Sequence, residues 1–338
     1  MQDFAEVDTG GTVFRGSSGK WAGEQLLKAA AAGNPNLDSS VLRTLDTLLR
    51  DEWVYFDTAL VEENQIVLQG VADLIAAGLT QSVPNSLGKT MLEYQRITDM
   101  GPATVSLDGI TRSENDRQEM DMAGLPLPIT HKDWYLDLRT LVASRTRGEA
   151  LDTSNTRQAG RRIAEMAEQM LFQGGKTFGG RPIYGYTTHP NRETASFTGG
   201  GAWGTVGKTG AQYLADVLSL IVKAEGKRAY GPYWIYVGRA ASVPLDDDFK
   251  ALGTLTIRQR LMQVDRIQKI TVVDQMPVGS VVLVQPDMNT VQWVQGEPLQ
   301  NVQWDVEGGF KINFKSWQIG VPLIKADASN RVGIVHMS

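Results

Sequence analysis

Between Asp38 and Leu60 the apolar residues Leu42, Leu45, Leu48, Leu49, Trp53, Phe56 and Leu60 recur at three- and four-residue intervals. That spacing predicts a long amphipathic helix with Asp38 as its N-cap. A shorter helical piece, VADLIAAGL, ends near Gly78, and the period then changes to that of strands. KTMLEYQRI (89–97) and ATVSLDGI (103–110) flank TDMGP, where Gly101 and Pro102 mark a turn, so the two runs are expected to form a long hairpin. Behind them comes TRSENDRQEMDMAG, too polar for a core. Two strands alone are marginal in water, so such a hairpin needs a surface to lie on.

In LPLPITHKDWYLDLRTL, Pro126 and Pro128 exclude a helix, and Trp134, Leu136 and Leu138 alternate with Tyr135 and Asp137 as in a half-buried strand. A helix is expected from Thr153 or Ser154 to Gly174, with Ala159, Ile163, Met166, Ala167 and Met170 on its apolar face. Its other face carries Arg157, Arg161, Arg162, Glu165 and Glu168, read as a solvated surface or a subunit contact. A second helix, AQYLADVLSLIVKAEG, presents Tyr213, Leu214, Val217, Leu218, Ile221 and Val222 at helical spacing. YWIYVGR, ITVVD and SVVLVQ read as buried strands, and TVQWVQ, NVQWDVE, FKINFKSWQIGVPLI and VGIVH make a strand-rich end. Helices and strands in this order, without regular βαβ alternation, give an α+β fold class.

Residues 199–210, GGGAWGTVGKTG, imitate a phosphate-binding loop but fail its spacing. Counting back from Gly207, Lys208 and Thr209, the required first glycine falls on Ala202, and Gly201 is one residue too early. The preceding HPNRETASFT is polar, whereas a true loop of this kind follows a buried strand. A flexible surface loop is the expected reading, with a P-loop NTPase as the weak alternative. The adjacent aspartates of VPLDDDFKAL lack the alternate spacing of a Ca²⁺ loop, and Leu245–Leu252 reads as a capped helix start.

Composition narrows the function classes. The chain has 338 residues, 42% hydrophobic and 21% charged, enough for a sizeable core and for about two domains or one domain with large insertions. A net charge of -5 argues against a dedicated nucleic-acid binder. With no cysteine there are no disulfides, thiolate ligands or cysteine nucleophiles. MQDFAEVDTGG is not a secretory signal, and no apolar run reaches the length of a membrane helix, so a soluble protein made in the cytoplasm is expected. His131, His189 and His336 stand far apart in sequence and outside any metal-binding pattern. There is no Gly-x-Ser-x-Gly turn and no dinucleotide fingerprint. We therefore expect no catalytic, cofactor-binding or metal-ligating residue and no enzyme activity. What stands out instead is a set of appendages: a segment of little periodicity at 1–36, read as a disordered tail or as an arm that Phe4, Phe14 and Trp21 would help anchor on a neighbouring subunit, then the hairpin and the glycine-rich loop. Projecting parts that need partners point to self-assembly.

Residues 125–174, LPLPITHKDWYLDLRTLVASRTRGEALDTSNTRQAGRRIAEMAEQMLFQGG, resemble the central stretch of the encapsulin-like branch of tailed-phage major capsid proteins. GRPIYGYTTHPNR with the glycines and Trp203 resembles the family's entry into its axial domain. QPDMNTVQWVQGEPL and FKINFKSWQIGVPLIKADA resemble its return strands. The resemblance implies the tailed-phage major capsid fold. Its parts would be an N-terminal arm at 1–38, peripheral domain at 39–82, extended loop at 83–130, peripheral domain with spine helix at 131–181, axial domain at 182–300 and return strands at 301–338.

It further implies a bacteriophage head protein assembling with itself through hexamers and pentamers into an icosahedral shell around double-stranded DNA. Portal, scaffold or decoration proteins would be further partners; packaged DNA would be touched weakly and non-specifically, and no membrane would be involved. The virion capsid, assembled in the host cytoplasm, would be its location. The chain is longer than encapsulin shell proteins typically are, which favours a phage head, with an encapsulin nanocompartment shell as the alternative. A fused scaffold does not fit an arm of 38 residues, and no position matches the lysine-asparagine cross-link of one lineage.

Overall fold

The computed structural model describes residues 50–97, 103, 105–107, 120–147, 153–250, 253–306, 310–327 and 329–338. The expected arm and the start of the helix at Asp38 lie outside these residues. In chain order the described elements begin with α1 (Arg50–Val67), α2 (Gly70–Ala76), β1 (Thr80–Ser82), β2 (Met91–Ile97), β3 (Met120–Pro126) and β4 (Thr130–Asp137). Then come α3 (Leu138–Arg147), α4 (Ser154–Phe172), β5 (Gly174–Phe178), β6 (Arg181–Tyr184), β7 (Glu193–Ala195), α5 (Gly210–Gly226) and β8 (Tyr233–Gly238). The rest are α6 (Ser242–Leu245), α7 (Ile257–Met262), β9 (Ile267–Val273), β10 (Val281–Val284), β11 (Val291–Val306), β12 (Lys311–Ile324) and β13 (Ile334–Met337). One sheet has the order β1-β11-β12-β4, another β7-β13-β10-β8-β9, and β2-β3 and β5-β6 form two-stranded ladders.

The chain divides into two units, and several elements run through both. Of the described residues the first unit holds 50–62, 132–147, 153–160, 300–306 and 310–316. Its core is Phe56, Leu136, Leu141, Ile312 and Phe314, with Trp134 and Leu138 packed against them. The alternation in β4 sends Trp134 and Leu136 inward and leaves Tyr135 and Asp137 exposed, the period of two that a half-buried strand requires. Trp134 stacks on Phe314 with ring centroids 4.1 Å apart, and Phe56 tilts against both.

In the second unit the five-stranded sheet is buried on both faces. Tyr233, Ile235, Val237, Val281 and Leu283 join a core with α5 and α7. The alternate residues Trp234, Tyr236, Val282 and Val284 join another with α2 and the end of α4. Each fully buried Val, Leu or Ile here stabilises the fold by about 2 kcal/mol. Such doubly covered strands read as continuous apolar runs, which is why YWIYVG and VVLV were legible as buried strands. A third cluster packs Met170 of α4 against Val294, Ile319, Val321 and Leu323 of the long strands and Leu125 and Leu127 of the hairpin.

Three expectations are corrected. β2 pairs antiparallel with β3, from Met91↔Pro126 to Ile97↔Met120, and not with 103–110. Of that run, Val105 and Leu107 are fully exposed and not in a strand. Leu92 and Tyr94 find their apolar partner in Leu125, so the end of the polar run forms the second strand and ATVSL lies in the connection. The aspartates 246–248 follow a helix rather than begin one: α6 ends at Leu245, Asp246 accepts a hydrogen bond from Arg258 (2.8 Å), and the next helix is capped by Thr256 and Gln259. TVQWVQ and NVQWDVE are one 16-residue strand, and FKINFKSWQIGVPLI is 14 residues of another.

Candidate functional site

The glycine-rich loop is built around a buried ion pair. Lys208 Nζ lies 2.7 Å from Asp216 Oδ2, with both side chains fully buried. The same nitrogen donates to the carbonyls of Gly199 (2.9 Å) and Gly201 (2.6 Å), and it sits 4.9 Å from the Phe197 ring centroid. An ammonium has three N–H groups, and all three are engaged inside the protein. Lys208 therefore has none left for a phosphate, which removes the NTPase reading on geometry as well as spacing.

Asp216 accepts from the Thr198 amide (2.7 Å), the Thr198 hydroxyl (2.6 Å) and Trp203 Nε1 (2.9 Å). Burial alone would raise its carboxyl, but the bonds from Lys208, Thr198 and Trp203 outweigh it and hold the group below the usual carboxylate range. Trp203 is buried and meets Tyr213 edge-on. The run is a loop at the surface, with Gly200, Gly201, Thr205, Val206 and Gly207 exposed, but its backbone folds over the buried Lys208 and Trp203. Gly204, at φ +100°, approaches Ala240 so closely that a Cβ would lie 2.6 Å from its carbonyl oxygen. Thr209 precedes α5 and its amide is taken by the Gln212 side chain (2.8 Å), so Lys-Thr leads into an ordinary helix start. On α5 the apolar stripe is narrower than expected, since Leu218 and Val222 are exposed.

A second buried charge corrects the reading of α4. Glu168 is buried, and its carboxylate accepts from the backbone amides of Gln69 (2.8 Å), Gly70 (3.2 Å) and Val71 (2.9 Å). It satisfies the orphan N–H groups that start α2, whose own N-cap Gln69 makes no side-chain cap. Helical spacing was the available signal, because Glu168 follows the buried Ala164 by four residues and precedes the buried Phe172 by four. Arg161 (3.0 Å) and Arg162 (2.8 Å) do share Glu165 on the exposed side.

Around Glu168 lie Asp73, bonded by the Tyr236 hydroxyl at 3.2 Å and paired with Lys269, and Tyr186, whose buried hydroxyl has no hydrogen-bond partner among the described residues. Burial, with Glu168 and Asp73 nearby, pushes the Tyr186 phenol well above its ordinary range. Tyr186→Phe should therefore leave thermal stability unchanged or raise it by up to about 1 kcal/mol; a clear loss would mean that the hydroxyl is satisfied.

His131 is exposed, while His189 and His336 are buried. Although far apart in sequence, these two meet one arginine: Arg192 donates to the His189 carbonyl (3.0 Å) and to His336 Nδ1 (3.5 Å). Among the described residues no three His, Asp or Glu side chains gather as a metal site, and no helix is long and apolar enough to cross a membrane.

The model of a family of unknown function (DUF6260) matches residues 43–337. The chain belongs to that family. No curated protein matches its sequence. Among solved structures it is similar to the virus-like particle from Pyrococcus furiosus, at 16% identity and TM-score 0.58 over 84% of this chain and 98% of that one. The capsid of a native GTA particle is similar at 13% identity and TM-score 0.56, covering 80% and 91%. So is the capsid of Myoviridae phage XM1, at 10% identity and TM-score 0.55, covering 78% and 90%. The family member thus has the expected α+β tailed-phage capsid fold. Its hairpin, its buried-pair loop and the Glu168-capped helix are local devices within that fold.

Proposed function

We propose that the chain is the shell-forming head protein of a tailed bacteriophage, assembling with itself through hexamers and pentamers around double-stranded DNA. The observation that carries this reading is the capsid fold over 78% or more of the chain in each of three similar structures, two of them capsids and one a virus-like particle. On this reading the segment 1–38 is an arm, 83–130 an extended loop, 39–82 and 131–181 the peripheral domain with α4 as spine, 182–300 the axial domain and 301–338 the return strands. Val105 and Leu107, fully exposed in the connection between β2 and β3, suit a hairpin that ends on a neighbour. Contacts that are individually weak become cooperative when each subunit has several neighbours. Portal, scaffold or decoration proteins and assembly in the host cytoplasm belong to this proposal.

A nanocompartment shell is the second reading, favoured by the 98% coverage of the Pyrococcus furiosus particle chain. Negative-stain microscopy of the purified protein separates the two: large shells, or co-purification of portal and tail proteins, support the phage head, and small uniform shells with enclosed enzyme support the compartment. A strictly monomeric protein would refute both. Deleting residues 1–36 should block or destabilise particles while the subunit stays folded by circular dichroism; normal particle yield would remove the role of the arm.

A further inference from the structure

Beside the hairpin lies a cavity of about 370 Å³ whose lining includes Tyr94, Leu125, Arg181, Tyr184, His189 and Pro322. Its walls are aromatic, aliphatic and proline-rich, and no Asp or Glu among the described residues lines it. Arg181 lies across Gly124, where a Cβ would collide with the guanidinium. Glu93 stands opposite Gly124 in the ladder, yet no carboxylate among the described residues pairs with Arg181. The His189 ring meets Tyr184 edge-on at 5.4 Å and its Nδ1 accepts from the Asn191 amide. Such a groove offers an apolar slot and one unneutralised, bidentate cation. It fits an extended acidic segment with a bulky apolar side chain.

We propose that this groove takes residues 1–8, MQDFAEVD, of a neighbouring copy, an inference that rests on the shell reading above. Three observations select the occupant. The segment carries Asp3, Glu6 and Asp8 with no Lys or Arg, whereas 9–49 contains Arg15, Lys20, Lys28 and Arg43 and 108–119 contains Arg112 and Arg117, and the acidic 148–152 is only five residues long and joined at both ends to described chain. Phe4 adjoins Asp3, and Val7 lies between Glu6 and Asp8, so a bulky side chain can enter the slot while a neighbouring acid meets Arg181. Residues 9–37, ahead of the helix expected from Asp38, reach up to about 95 Å when extended, at roughly 3.3 Å per residue, ample for an adjacent subunit.

The chain has no cysteine, so Phe4→Cys with Tyr184→Cys gives a clean report. Oxidised shells of this variant should show a ladder of covalent multimers on a non-reducing gel. Arg181→Glu should abolish the ladder, and combining it with D3K, E6K and D8K should restore it. As a second measurement, a labelled peptide of residues 1–8 should bind shells of the chain lacking those residues and lose binding with Arg181→Glu. Normal shells with neither ladder nor peptide binding would overturn the inference and leave the shell reading standing. A cross-link confined within single chains would overturn the exchange between copies. If the unmodified protein makes no shells, the shell reading fails first.

Discussion

Replacing Lys208 with methionine should destabilise the protein by about 3–5 kcal/mol, because it leaves the buried Asp216 charge without its cation. The substitution nearly preserves the length and apolar stem of the side chain, so lost packing contributes little. What disappears is the 2.7 Å ion pair and the donors to Gly199 and Gly201. A matched double variant, Lys208→Met with Asp216→Leu, should recover part of the loss by removing the stranded charge. Recovery will be incomplete, since Thr198 and Trp203 then lose the oxygens they donate to. The folded Asp216 carboxyl is held low, so the stability it confers is present above its ordinary value and is lost as pH falls through the folded one. Denaturant midpoints of the particle-free subunit measure all of this. A Lys208→Met midpoint equal to that of the unmodified protein would show that the pair is not structural. ATP turnover offers an independent check: none should be found in either protein, because the lysine is spent on the fold.

Periodicity made much of this architecture legible. The helix that periodicity places from Thr153 or Ser154 to Gly174 runs from Ser154 to Phe172. The buried strands at Tyr233 and Val281 followed from unbroken apolar runs. The capsid fold itself was reached through a resemblance in residues 125–174, at identities to solved relatives of 16% or less. Failures came where a residue's meaning depends on a distant partner. Glu168 looked solvated because its acceptor role lies 97 to 99 residues away, at the start of α2. Residues 111–124 read as too polar for a core, yet 120–124 supply much of β3, because Leu92 and Tyr94 of β2 pack on a cluster that includes Leu125 and distant residues such as Val294 and Ile319. The phosphate-loop imitation was rejected on one residue of spacing, but that spacing gave no hint of Asp216, eight residues on, as the reason for the lysine. The cavity lining joins the hairpin, β6 and β12, and no local pattern announces such a meeting.

Glu168→Ala should cost about 3 kcal/mol by stranding three backbone amides at the start of α2, and Glu168→Gln should cost less while changing the pH dependence. Burial is the largest influence on the Glu168 carboxyl, with the amides of Val71, Gln69 and Gly70 pulling the other way and Asp73 adding to burial; the result is a value raised from 4.5 to about 7. Between these values the folded protein holds a proton that the unfolded chain has released. The associated stability is therefore full below 4.5 and lost as pH rises to about 7. His336 acts in the opposite sense. Burial, then the Arg192 charge, lowers it from 6.5 to about 4, so the unfolded chain takes up a proton first and stability falls on acidification through that range. Over the shared window from about 4.5 to 6.5 the two slopes oppose each other, and the unmodified protein should be nearly insensitive to pH there. In Glu168→Gln only the histidine remains, so stability should drop as pH falls from 6.5 towards 4. The slope is bounded by about 1.4 kcal/mol per pH unit for one proton. His336→Asn should do the reverse, losing stability as pH rises from 4.5 to 7. Denaturant titrations at half-unit pH steps decide it: parallel profiles for all three proteins would mean that neither buried group titrates as its surroundings dictate.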